Sequence, residues 1–224
     1  MQDILSENDQ AIKVFMLSIS KPRLTKYLQI SDGDIRKALQ IYKWNTMLSQ
    51  SLYFPLQYWE ITLRNKLNDY LVFKYGQNWH MSEVANRNFI GQDQKRIAEV
   101  VARLSIGAGA TRPTTDQVVA ELSAGFWVSQ FAKRYDAHYN WRNNLRFRIF
   151  LNEPSLTREN VHRTCLSLLE LRNRVAHQEP IFHLDLNSHR DHLNTLLRGM
   201  CLVTNNYVST NCSFARIWAI RPQA

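Results

Sequence analysis

Arg172, Asn173 and His177 fall within eleven consecutive residues, Glu170-Leu-Arg-Asn-Arg-Val-Ala-His-Gln-Glu-Pro180, at spacings that suit the end of a helix. Together they offer a cation, an amide and an imidazole. Histidine titrates near neutral pH and moves protons; arginine offers two parallel N–H donors to a pair of phosphoryl oxygens. An RNA phosphodiester already carries its nucleophile, the 2′-hydroxyl. Such a trio would need only to manage protons and stabilise the crowded phosphoryl group. Asn173 would orient the imidazole or the phosphate. The sequence has no dense carboxylate cluster of the kind a two-metal nuclease uses, so no metal or other cofactor is expected.

The helix leading into the trio explains how it would be presented. Val161, Cys165 and Leu168 form one stripe that Arg172 continues, and Leu169, Asn173 and His177 form the next. Both stripes are expected to face inward or toward a partner. A cation on an apolar stripe is costly unless paired, and Glu60, Glu170 or a substrate phosphate are the candidate partners. His177 would lie in the last turn, where the helix dipole favours the imidazolium. The bare pattern is weak. With 19 Arg and 7 His in 224 residues, one R-x4-H pair arises by chance about 0.6 times. A structural alternative therefore stays open, with Arg172 paired to Glu170 or Glu60 and His177 capping carbonyls.

Other residues are candidates for support or RNA binding. Glu60 and Arg64 stand four apart, the favoured orientation for a helical ion pair, and Asn65 follows. Either Glu60 and Arg64 pair with each other, or one of them reaches Arg172. Glu170, Arg174 and His183 flank the trio. His183, Asp185, His189, Asp191 and His192 hold no recognised metal spacing and read as a surface cluster. Trp127 is expected in the core or at a dimer contact.

Helical periodicity dominates the positioning elements. One helix is expected over Asp34–Ser49, with Ile35, Leu39, Tyr42 and Thr46 on one stripe and Ala38, Ile41 and Leu48 beside it. A second opens at Pro55 and runs to Tyr75, where Gly76 caps it. Further helices are expected over Gln92–Ser105, Gln117–Tyr135 (capped by Thr115 or Asp116), Asn140–Phe150, Arg158–Gln178 (capped by Thr157) and Ser188–Val208. A loop, Gly107–Pro113, follows the first of these five, and Asn152-Glu-Pro-Ser155 breaks the chain again. The pattern predicts one all-α domain over residues 1–224, with an N-terminal helical part to about 110 and a bundle over about 111–210 bearing the Arg–His motif.

Composition agrees with a globular chain: 45% hydrophobic residues, 21% charged, 7 Gly and 6 Pro. The formal charge of +9 points to a polyanionic partner. Between Lys133 and Arg174 nine basic residues face four acidic ones, with Tyr135, Tyr139, Trp141 and Phe147 interleaved, a composition suited to single-stranded RNA. Three cysteines without a CxxC pair, a polar acidic start (MQDILSENDQ) and no apolar run near the roughly 18 residues of a membrane span predict a cytoplasmic protein with no membrane partner.

The stretch LRNRVAHQEPIF (171–182) resembles the R-N-x-x-[AS]-H form of the HEPN R-x4-6-H signature. In the same order, LSISKPRLTKYL (17–28), ALQIYKWN (38–45), YWEITLRNKLNDYLVFKYG (58–76) and VVAELSAGFWVSQF (118–131) resemble segments of the Abi-like (abortive infection) family. The resemblance implies a HEPN-type helical bundle with additional N-terminal helices. It also implies a homodimer with a composite active site, and metal-independent RNA cleavage that leaves a 2′,3′-cyclic phosphate and a 5′-hydroxyl. Arg172 and His177 inherit the catalytic positions and Asn173 the polar one beside the arginine. The implied role is phage defence or a toxin within a toxin–antitoxin pair, with an antitoxin or a regulatory RNA or protein as a further partner. Some HEPN toxins carry a modifiable Tyr two residues after the His; Glu179 stands there in this chain, which argues against that form of regulation. A non-catalytic RNA-binding or protein-interaction module is the alternative.

Overall fold

Pro55, expected to open a helix, lies in the middle of one. The computed structural model describes residue 5 and residues 8–106 and 112–222, and all regular structure among them is helical. Residues 107–111 of the expected Gly107–Pro113 loop, and all but Leu5 and Asn8–Gln10 of the polar start, lie outside the described residues. Helix α1 spans Asp9–Ile19, capped by Asn8, whose side chain accepts from the Ala11 N–H at 2.9 Å. Helix α2 spans Lys21–Ile30, with Pro22 in its first turn. Helix α3 then runs unbroken over Ile35–Tyr75.

Proline removes a backbone donor, so Pro55 leaves the Ser51 carbonyl without its helical partner. The Cys212 thiol lies 3.8 Å from that oxygen and donates to it. The apolar seam of α3, Leu48, Leu52, Leu56, Trp59, Leu63, Leu67, continues through the proline at spacings of three and four, and every member is buried. Burial of that seam outweighs one lost hydrogen bond. The residues buried at the start of α3 are Ala38, Leu39, Ile41, Trp44, Asn45 and Leu48; Thr46 of the expected stripe is exposed. Gly76 ends α3 at φ +89, its N–H donating to Val72 at 2.8 Å.

Helices α4 (Glu83–Asn88) and α5 (Gln92–Leu104) follow. The single helix expected over Gln117–Tyr135 is instead α6 (Thr115–Glu121), α7 (Ala124–Ser129) and a 3-10 turn at Lys133–Tyr135. Ser123 makes the break, because its hydroxyl caps a new helix by accepting from the Phe126 N–H at 3.4 Å. Thr114, one residue before the expected cap, forms a reciprocal capping box with Gln117. Beyond α8 (Asp136–Tyr139), a π-helical turn at Trp141–Leu145 leads into α9 (Arg146–Ile149).

Helix α10 covers Arg158–Ala176, with the Thr157 hydroxyl accepting from the Asn160 N–H at 3.2 Å. The helix expected over Ser188–Val208 divides at Cys201 into α11 (Leu186–Met200) and α12 (Leu202–Asn211), where the Thr204 N–H donates to Cys201 Sγ at 3.5 Å. Helix α13 (Phe214–Ala219) closes the series.

The chain divides into two compact units. The first comprises Met1–Phe54, Asn173–Leu186 and Cys212–Ala224; the second comprises Pro55–Arg172 and Asn187–Asn211. In the first unit Tyr27 packs against Tyr42 and Phe182, and the Trp44 indole N–H donates to the Ile217 carbonyl at 2.8 Å. The second unit has an aromatic core of Trp79, Phe89, Phe126 and Trp127. Beside it, the fully buried Asp93 carboxylate accepts from Arg96, Arg134, Ser129 and Tyr135. Four donors on one carboxylate satisfy the desolvation of its charge.

Candidate functional site

In the second unit, α10 delivers Arg172 and α3 delivers Glu60. Val161, Cys165, Leu168 and Leu171 of α10 are buried, and Arg172 sits at the edge of that seam rather than on it. Its Nε donates to Glu60 Oε2 at 3.0 Å, with the two side chains 40% and 23% exposed. Glu60 thus turns to Arg172 rather than to Arg64, four residues away. Arg64 is half-buried, and its Nε is buried without a hydrogen-bond partner. Asn65 and Glu170 are exposed. Trp127 is buried in the aromatic core.

In the first unit, Asn173 and His177 are both exposed, so the second stripe of α10 turns outward at these positions. A helix turns once every 3.6 residues, and the buried seam moves to Leu171 and Val175, leaving 173 and 177 on the far side. The His177 N–H donates to the Asn173 carbonyl at 2.9 Å. The helix closes around it as a Schellman motif: the Gln178 N–H donates to Val175, the Glu179 N–H to Arg174, and Gln178 takes φ +57. His177 is therefore the C-cap residue, with its side chain in solvent.

The segment after His177 is held by residues that sequence spacing did not single out. Asn45 Oδ1, buried on α3, accepts from the Ile181 N–H at 2.8 Å and the Phe182 N–H at 3.2 Å. Arg23 donates to the Gln178 carbonyl at 3.1 Å. Lys26 donates to the His183 ring, 3.0 Å from Nε2. Burial first, then the Lys26 and Arg174 charges, lower the His183 pKa, so the imidazole accepts as a neutral ring. Arg174 is half-buried and bonds Glu179 at 3.4 Å. Nothing in the spacing of Asn45 or Lys26 singles either of them out.

Of the four interleaved aromatics, Tyr135, Tyr139 and Trp141 are buried and only Phe147 is exposed. Arg146 lies over the Phe147 ring at 4.2 Å. His189 contacts Ser167 at 3.1 Å and packs against His192. Among the described residues no group of three or more His, Cys, Asp or Glu side chains could hold a metal ion, and no helix is long and apolar enough to cross a membrane. The chain matches no protein-family model, no curated protein and no solved structure.

Proposed function

We propose that this chain is a metal-independent endoribonuclease of HEPN type, acting in phage defence by abortive infection or as a toxin, with Arg172, Asn173 and His177 at its active site. The observation that carries the reading is the half-exposed Arg172 guanidinium, fixed through Nε by the Glu60 carboxylate. A carboxylate on Nε sets the plane of the guanidinium while the side chain keeps 40% of its surface open to an incoming phosphate. The solvent-facing Asn173 and His177, the formal charge of +9 and the all-helical architecture support the same reading.

The 2′-hydroxyl oxygen bonds to phosphorus as the bond from phosphorus to the 5′-oxygen breaks. One imidazole takes the 2′-hydroxyl proton and an imidazolium gives a proton to the 5′-oxygen, leaving a 2′,3′-cyclic phosphate and a 5′-hydroxyl. Arg172 stabilises the phosphoryl charge. In a homodimer the partner subunit's His177 supplies the second proton-transfer group. The Glu60 pair also favours a second reading, a non-catalytic RNA-binding module, because it neutralises Arg172 without substrate.

Incubating the purified protein with single-stranded RNA in EDTA separates the two. Expected are products ending in 2′,3′-cyclic phosphate, lost in Arg172→Ala and His177→Ala variants that keep the wild-type helical circular dichroism. Unchanged cleavage in both variants removes the assignment. Binding without products, with a log–log salt slope of about −0.7 per phosphate neutralised, establishes the binding module instead.

A further inference from the structure

An open groove of about 1050 Å³ lies in the second unit, where the first turn of α10 meets α8, the π-helical turn and α9. Lys133, Arg142, Arg146 and Arg158 line it, against two carboxylates, Asp136 and Glu159. Both carboxylates are engaged by Arg158, 3.7 Å from Asp136 and 3.4 Å from Glu159. Arg158 is only 11% exposed and also donates to the Phe131 carbonyl at 2.8 Å, so it belongs to the wall. Lys133, Arg142 and Arg146 have no carboxylate within 4 Å among the described residues; with Arg158 shared between two carboxylates, the groove carries four cations against two anions, a net +2.

The local backbone presents them. Asn140 takes the left-handed conformation, φ +46, and ends α8; the wider π turn that follows keeps Trp141 buried and leaves Arg142 exposed. Arg146 is held by the Pro154 carbonyl at 3.0 Å and lies over the exposed ring of the neighbouring Phe147. Cations lining an open groove are what the phosphates of a single-stranded nucleic acid bind.

We propose that this groove binds the backbone of single-stranded RNA, with Lys133, Arg142 and Arg146 on phosphates, as a holding site separate from Arg172. The groove begins at Arg158 and Arg172 lies fourteen residues further along α10, about 21 Å away at the helical rise. The choice of RNA over other polyanions rests on the ribonuclease reading; the groove itself does not.

Fluorescence anisotropy of a fluorescein-labelled single-stranded RNA tests the groove in the non-cleaving His177→Ala background. Replacing Lys133, Arg142 and Arg146 by Ala is expected to weaken binding roughly tenfold and to lower the salt slope by about 2, near 0.7 for each phosphate no longer neutralised. The Lys133→Ala/Arg142→Ala double variant spares Arg146 and its bond to Pro154, which guards against misfolding; its slope should fall by about two thirds as much. An unchanged affinity and slope in the double variant overturns the proposal. Equal displacement of the RNA by poly-glutamate at matched charge also overturns it, pointing to an acidic protein partner. Cleavage by His177→Ala as fast as wild type, with binding and salt slope reduced as expected in the groove variants, would sink the active-site reading and leave the groove standing.

Discussion

The Glu60 carboxylate accepts from Nε of Arg172 across 112 positions of sequence, joining the middle of α3 to the C-terminal part of α10. Both side chains reach solvent, so the pair contributes only about 0–1 kcal/mol to stability. Its larger consequence is orientation of the guanidinium. Glu60→Gln keeps the size and one acceptor but loses the charge. Expected is a melting temperature close to wild type with RNA cleavage reduced by about 10- to 100-fold in kcat, and a pH profile of unchanged shape because His177 is untouched. Wild-type cleavage in Glu60→Gln would show that this pair does not position the arginine.

That pair marks the limit of what periodicity reveals. α5 and α10 lie within two residues of their expected bounds because apolar spacing marks both and Thr157 caps α10. The seam through Leu52, Leu56 and Trp59 also announces one long helix, yet Pro55 fits a helix start so well that it masks the unbroken spacing around it. Ser123 and Cys201 hide their breaks for the opposite reason: each lies in an apolar stretch, and only the local cap shows that the helix restarts. Asn173 and His177 lie on a stripe anchored by Leu169, itself only half-buried, and the buried seam runs through Leu171 and Val175 on the other side of the helix. Of the two expected orientations, inward or toward a partner, the inward one therefore does not hold. Asn45 holds the chain at Ile181 across 136 positions, beyond any local pattern.

Asp93 is the strongest single polar anchor of the second unit. Its side chain is 0% exposed and receives Arg134 at 2.6 Å, Ser129 at 2.8 Å, Tyr135 at 2.9 Å and Arg96 at 3.0 Å. Beside it the Tyr135 hydroxyl is pushed up to about 12, chiefly by burial, and stays a donor. Asp93→Ala leaves buried donors unsatisfied, although both arginines, 42% exposed, can turn to water. Urea denaturation should show a loss of about 3 kcal/mol. A loss under about 1 kcal/mol would mean that water replaces the carboxylate.

Gly199 lets α11 approach the Phe150–Glu153 turn closely. A Cβ there would stand 3.1 Å from Phe150 Cδ1 and 3.3 Å from Glu153 Cβ and Cγ. The Asn152 N–H also donates to the Gly199 carbonyl at 3.3 Å, and Arg198 pairs with Glu153. In an open helix Gly→Ala gains about 1 kcal/mol. Here the fully buried Phe150 ring has nowhere to retreat, and overpacking costs about 1–3 kcal/mol. Gly199→Ala should lower the melting temperature; a rise would show that the turn moves freely.

His80 makes the second unit sensitive to acid. Its Nε2–H donates to the Pro113 carbonyl at 3.1 Å, and Thr115 lies 3.4 Å from Nδ1. Burial lowers its pKa below the ordinary 6.5, outweighing the Pro113 carbonyl, so the folded ring stays neutral where the unfolded one binds a proton. The stability it contributes is complete above that ordinary value and is lost as pH falls from there toward the lowered folded one. His162 and His183 are shifted in the same direction, so the wild-type slope has more than one source. His80→Gln keeps an N–H for Pro113 without a titrating ring. Its stability, measured by urea denaturation between about pH 7.5 and pH 5, should fall less steeply than wild type, by at most about 1.4 kcal/mol per pH unit, the limit for one proton. Parallel curves for the two proteins would mean that His80 takes up its proton equally well folded and unfolded.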